Sequence, residues 1–230
     1  MIKGGKYSTG ILRLMPAALV LVIVLPLLSS CGKNNTVAPA TLNTQLNIIN
    51  LSPDILPLDF YIDLRKQNTR SSYIYSVPSG YLSLPSLRNQ LQLRTLKNTT
   101  IVDTTPTLSA NTRYSLFITG LLGYKTISSV FVADSDAAPT IGRGKVRFIN
   151  LAARPVNVDV TANGTMAFQN QAIKKPSKYL ELPAGIYDFK ILNAGTTSVL
   201  SDLPKTTIQD GRLYTLYTRG IDGRTDTAAF

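Results

Sequence analysis

Leu46-Asn47-Ile48-Ile49-Asn50-Leu51 returns one hundred residues later as Val146-Arg147-Phe148-Ile149-Asn150-Leu151. At the same offset Leu58-Asp59-Phe60 is answered by Val158-Asp159-Val160, so Asp59 falls on Asp159. Tyr81-Leu82-Ser83-Leu84-Pro85 returns as Tyr179-Leu180-Glu181-Leu182-Pro183 at an offset of ninety-eight. Tyr114-Ser115-Leu116 then matches Tyr214-Thr215-Leu216, and Gly120 matches Gly220, with the offset back at one hundred. Ordered matches with such small gaps define two copies of one domain. The first copy is expected over 44–134 and the second over 145–230, with a linker at 135–144.

The copies read as strands. Val156, Val158 and Val160 alternate with Asn157, Asp159 and Thr161, the period of a strand with one buried face. Asn163-Gly164 suits the two positive-φ positions of a type I′ hairpin. Leu213 to Thr218 and Tyr114 to Thr119 are rich in aromatic and β-branched residues, and no helical period follows the first thirty residues. About seven short strands per copy, with turn signals every eight to twelve residues, predict an all-β chain of two antiparallel β-sandwiches. Leu108 stands six residues before Tyr114, and Ile208 six before Tyr214, across a turn each time. This resembles the tyrosine corner of immunoglobulin-like sandwiches, in which the phenol bonds upstream backbone. The fold expected is therefore two tandem immunoglobulin-like sandwiches, with Tyr114 and Tyr214 as structural residues.

The first thirty residues differ in kind. Lys3, Lys6 and Arg13 precede an apolar run from Leu14 to Leu28, interrupted by Pro16 and Pro26. A spanning helix needs roughly 20 apolar residues, so the run fits a cleaved signal peptide over 1–30 better. Leu28-Ser29-Ser30-Cys31 resembles a bacterial lipobox. Small residues let a peptidase hold the backbone closely, and the Cys31 thiol accepts a diacylglycerol through a thioether. Each buried methylene contributes about 0.8 kcal/mol, so two or three acyl chains make a stable membrane anchor. Residues 31–43 then form a polar tether with an r.m.s. reach on the order of 18 Å. The residue after Cys31 is Gly32 rather than the Asp of inner-membrane retention, and no acidic cluster follows. An outer-membrane lipoprotein is expected, either periplasm-facing or surface-exposed.

Composition narrows the chemistry. The chain has no His and one Cys, and Glu181 is its single Glu. Without imidazole there is no Ser-His-Asp or Cys-His pair and no His-ligated metal. One Cys excludes an intrachain disulfide and a thiolate cluster. Gly142-Arg143-Gly144-Lys145 leads into a strand, where the helix N-terminus of a phosphate loop is missing. No cofactor and no metal is expected, and the chain reads as non-enzymatic.

Asp134 and Asp136 lack the further spaced acid and Gly of a calcium loop, and read as a solvated turn. Asp59 and Asp159 read as bonding local turns, and Glu181, between Leu180 and Leu182, as facing solvent. A hydrolase working on glycans through carboxylates alone would need Asp59 with Asp159, or Asp188 with Glu181, to converge in a pocket. That is the weaker alternative.

The formal charge of +11 reflects 24 Lys plus Arg against 13 Asp plus Glu. Removal of Lys3, Lys6 and Arg13 with the signal leaves 21 against 13, or +8, spread over both copies. No concentrated basic stripe or recognition motif for nucleic acid is present. Candidate binding loops are 64–72, with Arg65, Lys66 and Arg70, and 169–178, with Lys174, Lys175 and Lys178, since such folds bind through end loops. The second cluster reads chiefly as a solvated loop, with contact to anionic lipid or glycan as the minor reading.

Val146 to Leu151, the proline step to Val158-Asp159-Val160, Asn163-Gly164 and the Tyr179-to-Gly185 neighbourhood together resemble the DUF4397 domain. The resemblance is closer in 145–223 than in 45–133. It implies a secreted or lipid-anchored bacterial protein of Bacteroidetes type, often built of repeats, and supplies no catalytic residues. The function expected is a non-catalytic, lipid-anchored cell-envelope protein with a binding or structural role. Its partners are the membrane and an envelope protein or glycan; a subunit of a larger envelope complex is the alternative.

Overall fold

The computed structural model describes residues 43–153 and 156–221. The expected signal peptide, the lipobox residues Leu28, Ser29 and Ser30, Cys31 and nearly all of the tether lie outside the described residues, as do residues 222–230. The first repeat comprises β1 (Gln45–Asn50), β2 (Leu58–Ile62), β3 (Arg65–Lys66), β4 (Tyr81–Ser83), β5 (Leu91–Thr95), β6 (Thr100–Thr104), β7 (Arg113–Thr119) and β8 (Ser128–Ala133). The second comprises β9 (Arg143–Ile149), β10 (Val158–Ala162), β11 (Thr165–Gln171), β12 (Leu180–Pro183), β13 (Gly185–Asn193), β14 (Val199–Ile208) and β15 (Leu213–Tyr217). The described chain is all-β.

The sheets run β4-β1-β7-β8 and β3-β2-β5-β6 in the first repeat, and β12-β9-β15 and β11-β10-β13-β14 in the second. The second order repeats the first, except that β8 has no counterpart among the described residues. Leu46 and Ile48 of β1 and Leu116 of β7 pack on Phe60 of β2 and Leu93 of β5, closing the first core. Val146 and Phe148 of β9 pack on Val158, Val160, Phe189 and Ile191 in the second. Small details repeat as well. The Ile48 N–H donates to Ser79 Oγ at 2.8 Å, and the Phe148 N–H to Ser177 Oγ at 2.9 Å.

Two expectations about local geometry can be checked directly. The Ser109 N–H donates to the Tyr114 phenol oxygen at 2.9 Å, and the Gln209 N–H to that of Tyr214 at the same distance. These are the upstream backbone bonds of a tyrosine corner. Not every pairing is antiparallel, however. β1 runs parallel to β7, with Leu46 opposite Tyr114, and β9 runs parallel to β15, with Val146 opposite Tyr214. A two-residue hairpin forces antiparallel pairing, whereas strands at the two ends of a repeat are free of that constraint.

The hairpin after β10 has Asn163 at φ 50° and Gly164 at φ 79°, as its sequence predicts. Its counterpart after β2 is Asp63-Leu64, at φ 47° and 65°, with Ile62 paired to Arg65. The first turn residue has the same task in both copies. Asp63 Oδ1 accepts the Gln90 N–H at 2.9 Å, and Asn163 Oδ1 the Asp188 N–H at 2.8 Å. Leu64 carries a Cβ in a left-handed conformation that costs about 1–2 kcal/mol for a residue other than Gly. Leu64→Gly is expected to raise stability by about 0.5–1 kcal/mol, since part of that relief returns as unfolded-chain entropy. A shift of the denaturant midpoint at constant slope checks it.

The outer face of sheet β4-β1-β7-β8 is not left to solvent. Ile49, Leu51, Phe117, Val130 and Val132 form one buried cluster with Ile149 and Leu151 of the second repeat. The Phe117 and Tyr217 rings meet there with centroids 5.3 Å apart. The Thr119 hydroxyl donates to the Leu151 carbonyl at 2.6 Å across the same seam. Covered on both faces, β7 is buried continuously from Tyr114 to Thr119, the pattern of a central strand rather than of one with a wet side. The expected linker over 135–144 thus borders a packed seam.

Candidate functional site: a cleft at the seam between the repeats

Tyr81 begins β4 and Tyr179 directly precedes β12, so the repeat places the two tyrosines at equivalent points. Each ring has a guanidinium over it. Arg113 lies 5.1 Å from the Tyr81 centroid and Arg147 lies 5.2 Å from that of Tyr179. Both tyrosines line a cleft of about 450 Å³, together with Asn47, Ile49, Arg113, Asp134, Arg212 and Tyr217. β1, β4, β7 and β8 of one repeat and β15 of the other thus supply or flank its walls.

Arg147 lies behind this cleft and is only 4% exposed. Its three nitrogens are all engaged. Nη1 donates to the Ala133 carbonyl at 2.6 Å, Nε to Thr215 Oγ1 at 2.9 Å, and Nη2 to Asp134 Oδ1. Asp134 Oδ2 further accepts the Ser115 hydroxyl at 2.6 Å and the Tyr81 phenol at 2.9 Å. The solvated turn expected at Asp134 is therefore corrected. Its side chain is a half-buried hub, because it directly follows strand β8 and meets an arginine of the second repeat. Asp136 is exposed and pairs with Lys145 Nζ at 2.9 Å.

With Asp134 matched to Arg147, the remaining charge in the cleft is positive. Arg113 Nε donates to the neutral Gln45 amide oxygen at 3.0 Å. Neither Arg113 nor Arg212 forms an ion pair among the described residues. Burial, followed by the adjacent Asp134 carboxylate, pushes the Tyr81 phenol up to about 12. It therefore stays protonated and donates to Asp134 at neutral pH.

The unfolded phenol titrates near 10, so between about pH 10 and 12 the folded state holds a proton that the unfolded state has lost. Stability is expected to fall with rising pH across that window, and less steeply in Tyr81→Phe. Denaturant midpoints measured at pH 9, 10 and 11 check the difference.

The basic residues singled out from the sequence lie elsewhere. Arg65 and Lys66 form the short strand β3 and are exposed, as is Arg70 beyond it. Lys66 is not free, since its ammonium bonds Asp59 Oδ2 at 2.6 Å. Lys174 is half-buried at φ 63°, its N–H donating to the Asn150 carbonyl at 2.7 Å, while Lys175 and Lys178 are exposed. None of the six lines the seam cleft.

Asp59, Asp159 and Glu181 stay within their own repeats. Asp59 also accepts the Asn68 amide and the Ser72 hydroxyl, at 2.9 and 2.6 Å. Burial alone would raise its pKa, but the bonds from Lys66, Ser72 and Asn68 hold it below the usual carboxylate value. Asp159 accepts the backbone N–H groups of Asn170 and Gly195, at 2.6 and 2.8 Å. Each bonds its local turns. Glu181, expected to face solvent, instead lies 3.6 Å from Arg143 and 3.9 Å from Lys145, because the strand pairing sets it opposite Lys145 on β9. Neither Asp188 nor Glu181 lines the cleft. Among the described residues no three His, Cys, Asp or Glu side chains gather to hold a metal, and no helix is long and apolar enough to cross a membrane.

Composition and charge point to Asp134 only as a turn residue, and not to the cleft residues Tyr81, Arg113, Tyr179 and Arg212 or to Arg147 behind them. One signal was present: the repeat aligns Tyr81 with Tyr179.

The fold and its seam define a protein of two stacked β-sandwich repeats with a polar, aromatic-lined cleft between them. The family described as "Domain of unknown function (DUF4397)" matches residues 44–161, and the chain belongs to it. That span covers the whole first repeat, β9 and nearly all of β10. The match thus takes in the whole first copy and only 145–161 of the second, contrary to the expectation that the second copy carries the closer resemblance. A search of curated proteins finds no match.

Proposed function

We propose that the chain is a non-catalytic, lipid-anchored protein of the bacterial cell envelope, and that its two immunoglobulin-like sandwiches serve as a binding module. The observation that carries the binding role is the seam cleft. It is concave, mixes aromatic and polar lining, and contains two guanidinium groups without acidic partners among the described residues. Small-ligand sites commonly combine a volume of roughly 300–1,000 Å³ with apolar walls and a few placed polar groups. The tyrosine corners of both repeats support the immunoglobulin-like reading. The lipobox resemblance of Leu28 to Cys31 supports the anchor at an outer membrane.

Fractionation of the native protein and of Cys31→Ala, with metabolic lipid labelling, tests the anchor. The native chain should take label and sediment with membranes, and the variant should do neither. Crosslinking of the full chain in envelope preparations tests the binding role. Turnover of any member of a substrate panel would count against the non-catalytic reading.

A second reading, a subunit of a larger envelope complex, is favoured by β14. This ten-residue strand ends its sheet among the described residues, and such an edge offers unpaired backbone to a partner. Comigration with other proteins after gentle solubilisation would distinguish it from a free-standing binder.

A further inference from the structure

We infer that the seam cleft recognises a sugar ring carrying a carboxylate. The inference rests on the binding role proposed above and names the ligand class.

Charge sets the sign of the ligand. The acid in the cleft, Asp134, is occupied by Arg147, Ser115 and Tyr81. Arg113 donates to the neutral Gln45 amide and forms no ion pair among the described residues, and the Arg212 side chain is exposed on the rim. A guanidinium presents a planar fork that matches a carboxylate through two parallel hydrogen bonds. Two such forks at one mouth select for an anion with oxygens in a plane.

The walls set the body of the ligand. Tyr81 keeps 42% of its surface exposed although Arg113 lies over its ring. Tyr179 and Tyr217 add two further half-buried rings to the lining. Flat aromatic surface beside hydrogen-bonding groups suits a ring with one apolar face and a polar edge. A cleft of about 450 Å³ takes one or two such rings. Nucleic acid would need a longer basic track than two arginines provide. Uronic acids of a glycan and the lactyl-bearing amino sugar of a bacterial wall share this chemistry, and the experiment separates them.

Calorimetric titration of the full chain in detergent micelles, with digalacturonate, its dimethyl ester and N-acetylmuramic acid, tests the inference. At least one acid should bind, and esterification of digalacturonate, if that is the acid bound, should weaken it at least about tenfold. Arg113→Gln and Arg212→Gln should each weaken binding about tenfold, with unchanged thermal midpoints, while Arg65→Gln should leave it unaltered. Added salt should lower the affinity, since the groups at the rim are exposed. Equal binding of ester and acid, or no binding of either acid, would overturn the carboxylate inference.

A photo-crosslinking side chain at position 212, irradiated in cells, separates that failure from failure of the binding role. A reproducible adduct of another class would preserve the binding role and reject the sugar acid. Absence of any adduct together with absence of sugar binding would reject both.

Discussion

Arg147→Ala is expected to lower the stability of the folded chain by about 3–5 kcal/mol, the usual cost of removing one partner from a buried ion pair. The size of the effect follows from what remains. Asp134 keeps the Ser115 and Tyr81 hydroxyls, both neutral donors, and loses its one ion-pair partner among the described residues. Its charge then sits in a site where its side chain is 12% exposed. The Ala133 carbonyl loses its donor as well. Chemical denaturation reads the loss. Replacing both partners, with Arg147→Leu and Asp134→Leu together, should recover most of it, because the desolvation of two charges is removed at the same time. A single-variant cost below about 1 kcal/mol would mean that the pair is effectively solvated.

Phe117→Ala is expected to cost a similar 3–5 kcal/mol, by loss of transfer free energy and the cavity left behind. Its location gives the variant a second effect. Phe117 is 2% exposed and belongs to a buried cluster that draws on both repeats. The native chain should therefore unfold in a single calorimetric transition. The variant should broaden it or split it into two, as the repeats lose their common core. Phe60→Ala, within the first core, should cost as much without uncoupling the repeats. If the two substitutions give the same transition shape, the seam does not couple them.

The legible parts of this molecule are those coded locally. Asn163-Gly164 announces its turn because Asn and Gly tolerate positive φ, and the tyrosines of the two corners are visible because they recur at fixed spacing. Asp63-Leu64 makes the same turn without announcing it. Leucine has no preference for that backbone, and the conformation is imposed by the pairing of Ile62 with Arg65 and by the bond from Gln90 to Asp63. The wet face expected for the repeat strands is absent on β7 because that face meets the other copy. No alternation within Tyr114 to Thr119 reports this.

The cleft was hidden for a related reason. Tyr81, Arg113, Asp134, Tyr179 and Arg212 come from five separate segments, and only the stacking of one repeat on the other brings them together. Charge counting drew attention instead to clustered lysines on exposed loops. Asp134, close to Pro139 and small residues, reads from the sequence alone as a solvated turn. Its role depends on Arg147, which stands where the first copy has Asn47. The repeats differ at that point, and the site lies there.

The parallel pairing of the end strands also bears on how the chain acquires its structure. Gln45 and Arg113 are partners across sixty-eight residues, and Arg147 and Thr215 are joined across the same span. Contacts this distant in sequence close large loops, and proteins dominated by them fold in milliseconds to seconds rather than microseconds. β4 can dock on one side of β1 early, but the other side waits for β7. A chain synthesised N-terminus first therefore holds β1 with a bare edge until almost the entire repeat has emerged. Interrupted synthesis before Arg113 would leave that edge open to other strands.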